Sequence, residues 1–94
     1  MEKLIIIKDL EIRQIADLIE ADWKKVYFGA KPYLMAMFSL SDINDRYGSD
    51  SAASIISYFL ANAQTWRGEQ AKEIKKVLNK MTADYYSGKT KIKS

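Results

Sequence analysis

The residues best equipped for chemistry stand in two short stretches. Asp22-Trp23-Lys24-Lys25-Val26-Tyr27-Phe28-Gly29-Ala30-Lys31-Pro32-Tyr33 interleaves aromatic rings with lysines. Rings stack on nucleobases and ammonium groups neutralise phosphates, so this mixture suits a nucleotide. Trp23, Lys24, Lys25, Tyr27 and Lys31 are the candidate contacts. The second stretch is Thr65-Trp66-Arg67-Gly68-Glu69. With Thr65 as a helix N-cap, Arg67 falls in the first turn, where free N–H groups, the helix dipole and a guanidinium fork make a phosphate cradle. Each stretch also has a plainer explanation. Lysines at a helix C-terminal end favour the dipole while the aromatics enter the core. The second stretch then reduces to a cap, a packed tryptophan and a solvated arginine. Residue types alone favour the plainer explanation in both.

Catalysis finds little support in the same inventory. The chain has no histidine and no cysteine. Imidazole ligands, the ordinary neutral-pH proton shuttle, thiolate attack, disulfides and sulfur-bound zinc are therefore absent from it. No serine has a base beside it, so nucleophilic catalysis is unsupported. Carboxylate chemistry and carboxylate-bound magnesium stay open. Ser41 to Asp50 alternates oxygen ligands in the manner of a calcium loop, but its glycine is misplaced and the terminal glutamate is lacking. A capped loop is the simpler account. The chain reads as a binding protein, not an enzyme, and calls for no cofactor.

These stretches need helices to hold them. Ala52, Ile55, Ile56, Phe59, Leu60 and Ala63 recur at three-and-four spacing, and Ala53, Tyr58 and Ala61 widen that face nearly to a full circle. A helix so apolar is expected at the centre of the fold. A first helix is expected from Asp9, as N-cap, to about Phe28, on Ile12, Ile15, Ala16, Ile19, Trp23 and Val26, with Gly29 ending it. Pro32 suits the first turn of a second helix, which carries Tyr33, Leu34, Met37, Phe38 and Ile43. Gly48 closes a loop, and Ser49, Asp50 or Ser51 caps the central helix. A last helix is expected from about Trp66 to Tyr85, with a seam of Ala71, Ile74, Leu78, Met81 and Tyr85. That seam serves either internal packing or a contact between subunits. The fold class is thus all-α, a small compact bundle of about four helices.

The chain of 94 residues suits one domain, which buries roughly 60–70% of its unfolded surface and would gain from oligomerisation. The expected organisation is an N-terminal arm (1–8), a helical domain (9–86) and a basic flexible tail (87–94). The net charge of +3 equals the three tail lysines Lys89, Lys91 and Lys93, so the remainder is near neutral. That is not the surface of a binder of long nucleic acid. The apolar run Leu4 to Ile7 is too short to span a membrane, and a cytoplasmic protein is the simplest expectation.

Several of these segments resemble a known family. Asp22-Trp23-Lys24, Ala30-Lys31-Pro32-Tyr33-Leu34-Met35-Ala36-Met37, Ile43-Asn44-Asp45-Arg46-Tyr47-Gly48 and Tyr58 through Glu69 are similar to the anti-CBASS cyclic-nucleotide sponges of tailed phages. The resemblance runs from about Ile12 to Met81, and Thr65-Trp66-Arg67-Gly68-Glu69 is its most specific part. It implies an all-helical homo-oligomer, hexamers being known in the family, acting in the host cytoplasm. Such proteins sequester cyclic dinucleotides, for example cyclic GMP-AMP, in pockets between subunits. Some also hold cyclic trinucleotides in a separate pocket. The messenger is kept intact and the host effector is not activated. The resemblance implies Arg67 for the trinucleotide pocket and Lys24 or Lys25 for dinucleotide phosphate. The family's stacking aromatic near the start of the first helix has no counterpart before Trp23. The alternative expectation is a small phage helical protein that inhibits a host protein through Ala71, Ile74, Leu78 and Met81.

Overall fold

A computed structural model describes residues 6–88. A single 3-10 turn, Ile7–Asp9, leads into α1 (Ile12–Asp22), α2 (Lys31–Met37), β1 (Arg46–Tyr47), β2 (Asp50–Ser51), α3 (Ala52–Ala61) and α4 (Glu69–Tyr86). The four α-helices were expected; the hairpin was not. β1 and β2 pair antiparallel, Arg46 opposite Ser51 and Tyr47 opposite Asp50. Gly48 turns the corner at φ 62°, a left-handed value that glycine adopts without steric cost. The expected small, compact arrangement of four helices is found, and one small two-stranded sheet is added to it.

α3 is the central helix. Ser51 caps it, its Oγ accepting from the Ser54 N–H at 3.1 Å. Ala52, Ala53, Ile55, Ile56 and Phe59 are buried, and α3 packs against both α2 and α4, while α1 closes on those two helices. Its apolar circle is not complete in the fold. Tyr58 is half exposed and Ala61 is exposed, so one side of α3 faces outward.

Helix boundaries depart from the expected ones where tertiary partners intervene. α1 starts three residues after Asp9 because Glu11 is its N-cap, with the Gln14 side chain accepting from the Glu11 N–H at 2.8 Å. The next two N–H groups, of Ile12 and Arg13, donate to the carbonyls of Ser41 and Leu40. Groups that a helix start leaves unpaired are thus satisfied by the loop after α2. α1 stops at Asp22, well short of Phe28, and Gly29 does not end it. α2 carries Pro32 in its first turn but ends at Met37. Ile43 is buried from the following loop instead. In that loop the Asp45 carboxylate accepts from the N–H groups of Ser41 and Asp42, at 2.9 and 3.1 Å. Those two bonds hold its pKa below the ordinary 3.8. The oxygen-rich loop therefore turns its carboxylates on its own backbone.

α4 begins at Glu69, after Gly68 at φ 116°, rather than at Trp66. Its seam packs inward. Ala71, Ile74 and Leu78 are at most 1% exposed, with Met81 and Tyr85 half-buried against the same core. Ser87 closes the helix and Gly88, at φ 80°, follows in the left-handed conformation usual after a helix end. The expected arm (1–8) falls outside the described residues as far as Ile5, and the expected basic tail from Lys89 onward does so entirely.

Candidate functional site

Trp23 is where α1 gives way. It leaves helical geometry at φ −96° and ψ 88°, and its indole stacks on that of Trp66 with centroids 5.7 Å apart and planes 13° apart. Phe59 of α3 meets both indoles edge-on, at 6.1 and 6.2 Å. Quadrupole attraction favours such offset and edge contacts beyond the area they bury. Trp66 also needs a partner for its buried N–H. Its Nε1 donates to Asp22 Oδ2 at 2.8 Å. The end of α1 is therefore set by a residue 44 positions away in sequence.

The Trp66 corner is held from a third side. Lys75 of α4 donates from Nζ to the Trp66 carbonyl at 2.7 Å and lies 5.7 Å from its ring centroid, a cation–π contact. Partial burial, and secondarily the Arg67 charge, pull the Lys75 ammonium below its ordinary pKa. This fixed corner displaces two expectations. The N-cap of α4 is Gly68, so Thr65 is not the cap. Arg67 precedes the cap, so it does not lie in the first turn, and the phosphate cradle drawn from that placement is not formed.

Beside this aromatic block opens a shallow cavity of about 280 Å³, walled by Tyr27, Ala61, Asn62, Gln64 and Thr65. Two interhelical connections create it. Between α1 and α2 the chain runs irregularly through Lys24 to Phe28, and turns back with Ala30 N–H on the Tyr27 carbonyl at 2.8 Å. Between α3 and α4 it runs from Asn62 to Gly68. Gly29 joins the two walls. A Cβ there would stand 2.5 Å from Tyr27 Cε2 and 2.9 Å from Asn62 Oδ1. Gly29 is thus needed for close approach and not for a positive φ. Asn62 closes α3, and its Nδ2 donates to the Tyr58 carbonyl at 2.9 Å.

The expected site residues separate on this surface. Tyr27, 44% exposed, and Thr65 come together on the cavity. Trp23 does not. It is 7% exposed, with one face against Trp66, so its role is in the core and the ligand-contact expectation is corrected. Lys24, Lys25, Lys31 and Arg67 are exposed but outside the cavity walls. Asn62 and Gln64 were missed. Their one signal is a pair of amides just after the apolar run of α3, where a helix end needs polar partners. A second groove, of about 460 Å³, lies along α4 on Val77 and Met81, with Lys8, Lys76, Lys80, Glu73 and Asp84 around it. Of the four seam residues offered as a partner surface, only Met81 reaches it. The other three are buried within the chain.

No family model, curated protein or solved structure matches the chain. The fold and the cavity define a small helical protein with one hairpin and an aromatic, amide-lined hollow where two interhelical connections meet.

Proposed function

We propose that the protein is a phage-encoded sponge that binds cyclic oligonucleotide messengers without cleaving them and so blocks activation of host CBASS effectors. The observation that carries this reading is the pairing of a half-exposed ring, Tyr27, with the amides of Asn62 and Gln64 around one hollow. A ring to stack on and amides to bond an edge are what a nucleobase requires. Lys24 and Lys25 stand in the exposed connection that leads to Tyr27, where they can meet phosphate. The sequence resemblance points to the same ligand class.

The hollow's size bears on assembly. At about 280 Å³ it falls just under the roughly 300–1,000 Å³ that encloses a drug-sized ligand. One chain then offers half a site, sufficient for one base. A symmetric pair of chains supplies both halves of a cyclic dinucleotide, which has two bases and two phosphates. With no imidazole or thiol in the chain, retention of an intact ligand is the natural outcome. Cyclic trinucleotides would engage Arg67, which lies apart from the hollow.

Calorimetric titration with cyclic GMP-AMP tests the reading, with chromatography of the recovered ligand. Saturable binding, recovery of unchanged ligand and weaker binding by a variant lacking both Lys24 and Lys25 are expected. Absence of heat with every cyclic di- and trinucleotide, or recovery of a linear product, overturns it.

A further inference from the structure

Asn62 is committed on one side only. Its amide group meets the Tyr58 carbonyl at 2.9 Å. A carbonyl oxygen can only accept, so the group facing it must be the NH₂, and the side-chain oxygen must point the other way. That oxygen, Oδ1, lies over Gly29, and the Tyr27 ring edge lies over the same glycine. The two are therefore neighbours, and the residues that carry them both wall the hollow. Oδ1 accepts no hydrogen bond from any described residue. α3 thus presents a fixed acceptor, oriented by its own last turn, beside a ring that a flat ligand can cover.

We infer that Asn62 determines which base edge the hollow accepts, selecting a ring that presents an N–H donor, such as the 6-amino group of adenine, while Tyr27 stacks on its face. The inference rests on the nucleotide reading of this cavity and adds its selectivity. An acceptor locked in place discriminates because a base without a donor leaves it unpaired and displaces its water. Gln64 and Thr65 can each donate or accept, so they do not impose this sign.

The test compares cyclic di-AMP with its analogue in which unsubstituted purine replaces adenine. Ring and phosphates are kept, and the N–H donor is lost. Calorimetry on the full chain is expected to show the amino ligand binding roughly five- to tenfold more tightly, the worth of one hydrogen bond. Asn62→Ala, checked for retained helicity, is expected to bring the ratio to about one. Tyr27→Ala is expected to weaken both ligands and keep the ratio. Equal binding of both ligands by the wild type overturns the inference and leaves nucleotide binding standing. So does an unchanged ratio in Asn62→Ala. If neither ligand binds the wild type, the nucleotide reading itself falls, and this inference with it.

Discussion

The Trp66–Asp22 hydrogen bond ties the end of α1 to the connection before α4, and its loss has a size that can be worked out. Trp66 is 2% exposed, and Phe in its place keeps a ring against Trp23 and Phe59 but lacks the pyrrole half. The void left by that half costs about 1–2 kcal/mol. The bond from Nε1 to Asp22 Oδ2, at 2.8 Å, has a charged acceptor, a class worth about 1.5–3 kcal/mol. Asp22 is exposed, and water competes for it, so about 1 kcal/mol is the appropriate figure. Trp66→Phe is then expected to cost about 2–3 kcal/mol, a large part of the roughly 5–15 kcal/mol that holds a domain together. In melting temperature that is a fall of roughly 10–20 °C.

A double-mutant cycle separates the two contributions. Asp22→Ala in the wild type should cost about 1 kcal/mol, since it leaves the Trp66 N–H without its acceptor. In the Trp66→Phe background there is no N–H to strand, and the same change should cost almost nothing. Urea unfolding followed by far-ultraviolet circular dichroism measures all four proteins, and Trp23 fluorescence reports independently in the Phe variants. A coupling of about 1 kcal/mol is expected. If Asp22→Ala costs the same in both backgrounds, the bond does not fix the end of α1, and the account of why that helix stops early is wrong.

Gly29→Ala should separate the cavity from the core. The added Cβ meets the outer edge of the Tyr27 ring and Asn62 Oδ1, both near solvent, so the ring swings aside. Thermal melting should shift by less than about 1 kcal/mol in stability, helped by reduced freedom of the unfolded chain, while calorimetry shows clearly weaker cyclic dinucleotide binding. Asp45 gives a pH test. Its folded pKa lies below 3.8 because the Ser41 and Asp42 N–H groups bond its charged form. A depressed carboxylate contributes stability that is present above its unfolded pKa and lost as pH falls through the folded value. The melting-temperature gap between wild type and Asp45→Asn should therefore be steady above about pH 5 and narrow as pH falls through the ordinary 3.8 toward the lower folded value. A gap that widens on acidification contradicts the assignment.

The features legible in the sequence were those with a repeating apolar signal. Ile12, Ile15, Ala16 and Ile19 mark α1, and Ala71, Ile74 and Leu78 mark α4, because each set must face one core. Boundaries were less legible because distant groups decide them. Nothing near Asp9 announces that Ile12 and Arg13 donate to carbonyls of residues 41 and 40. The hairpin was invisible for a different reason. Arg46, Tyr47, Asp50 and Ser51 have no alternating apolar face, and only Gly48 hints at a turn. Trp23 illustrates the ambiguity of aromatics: a ring beside lysines reads equally well as a stacking platform or as core, and the choice here depends on Trp66.

The site shows the same dependence. Tyr27 and Thr65 were legible as candidates, yet they are 38 positions apart, and what joins them is a glycine too small to separate Tyr27 from Asn62. That closeness follows from the aromatic block beneath. Because Trp23 and Trp66 stack, the connections leaving each of them begin side by side, and their polar residues are left to share one hollow. The core that ends α1 early is thus also what brings a ring and an amide acceptor together. Substitutions that loosen the indole stack should therefore weaken the proposed cyclic dinucleotide binding before they unfold the chain, even though neither indole lines the hollow.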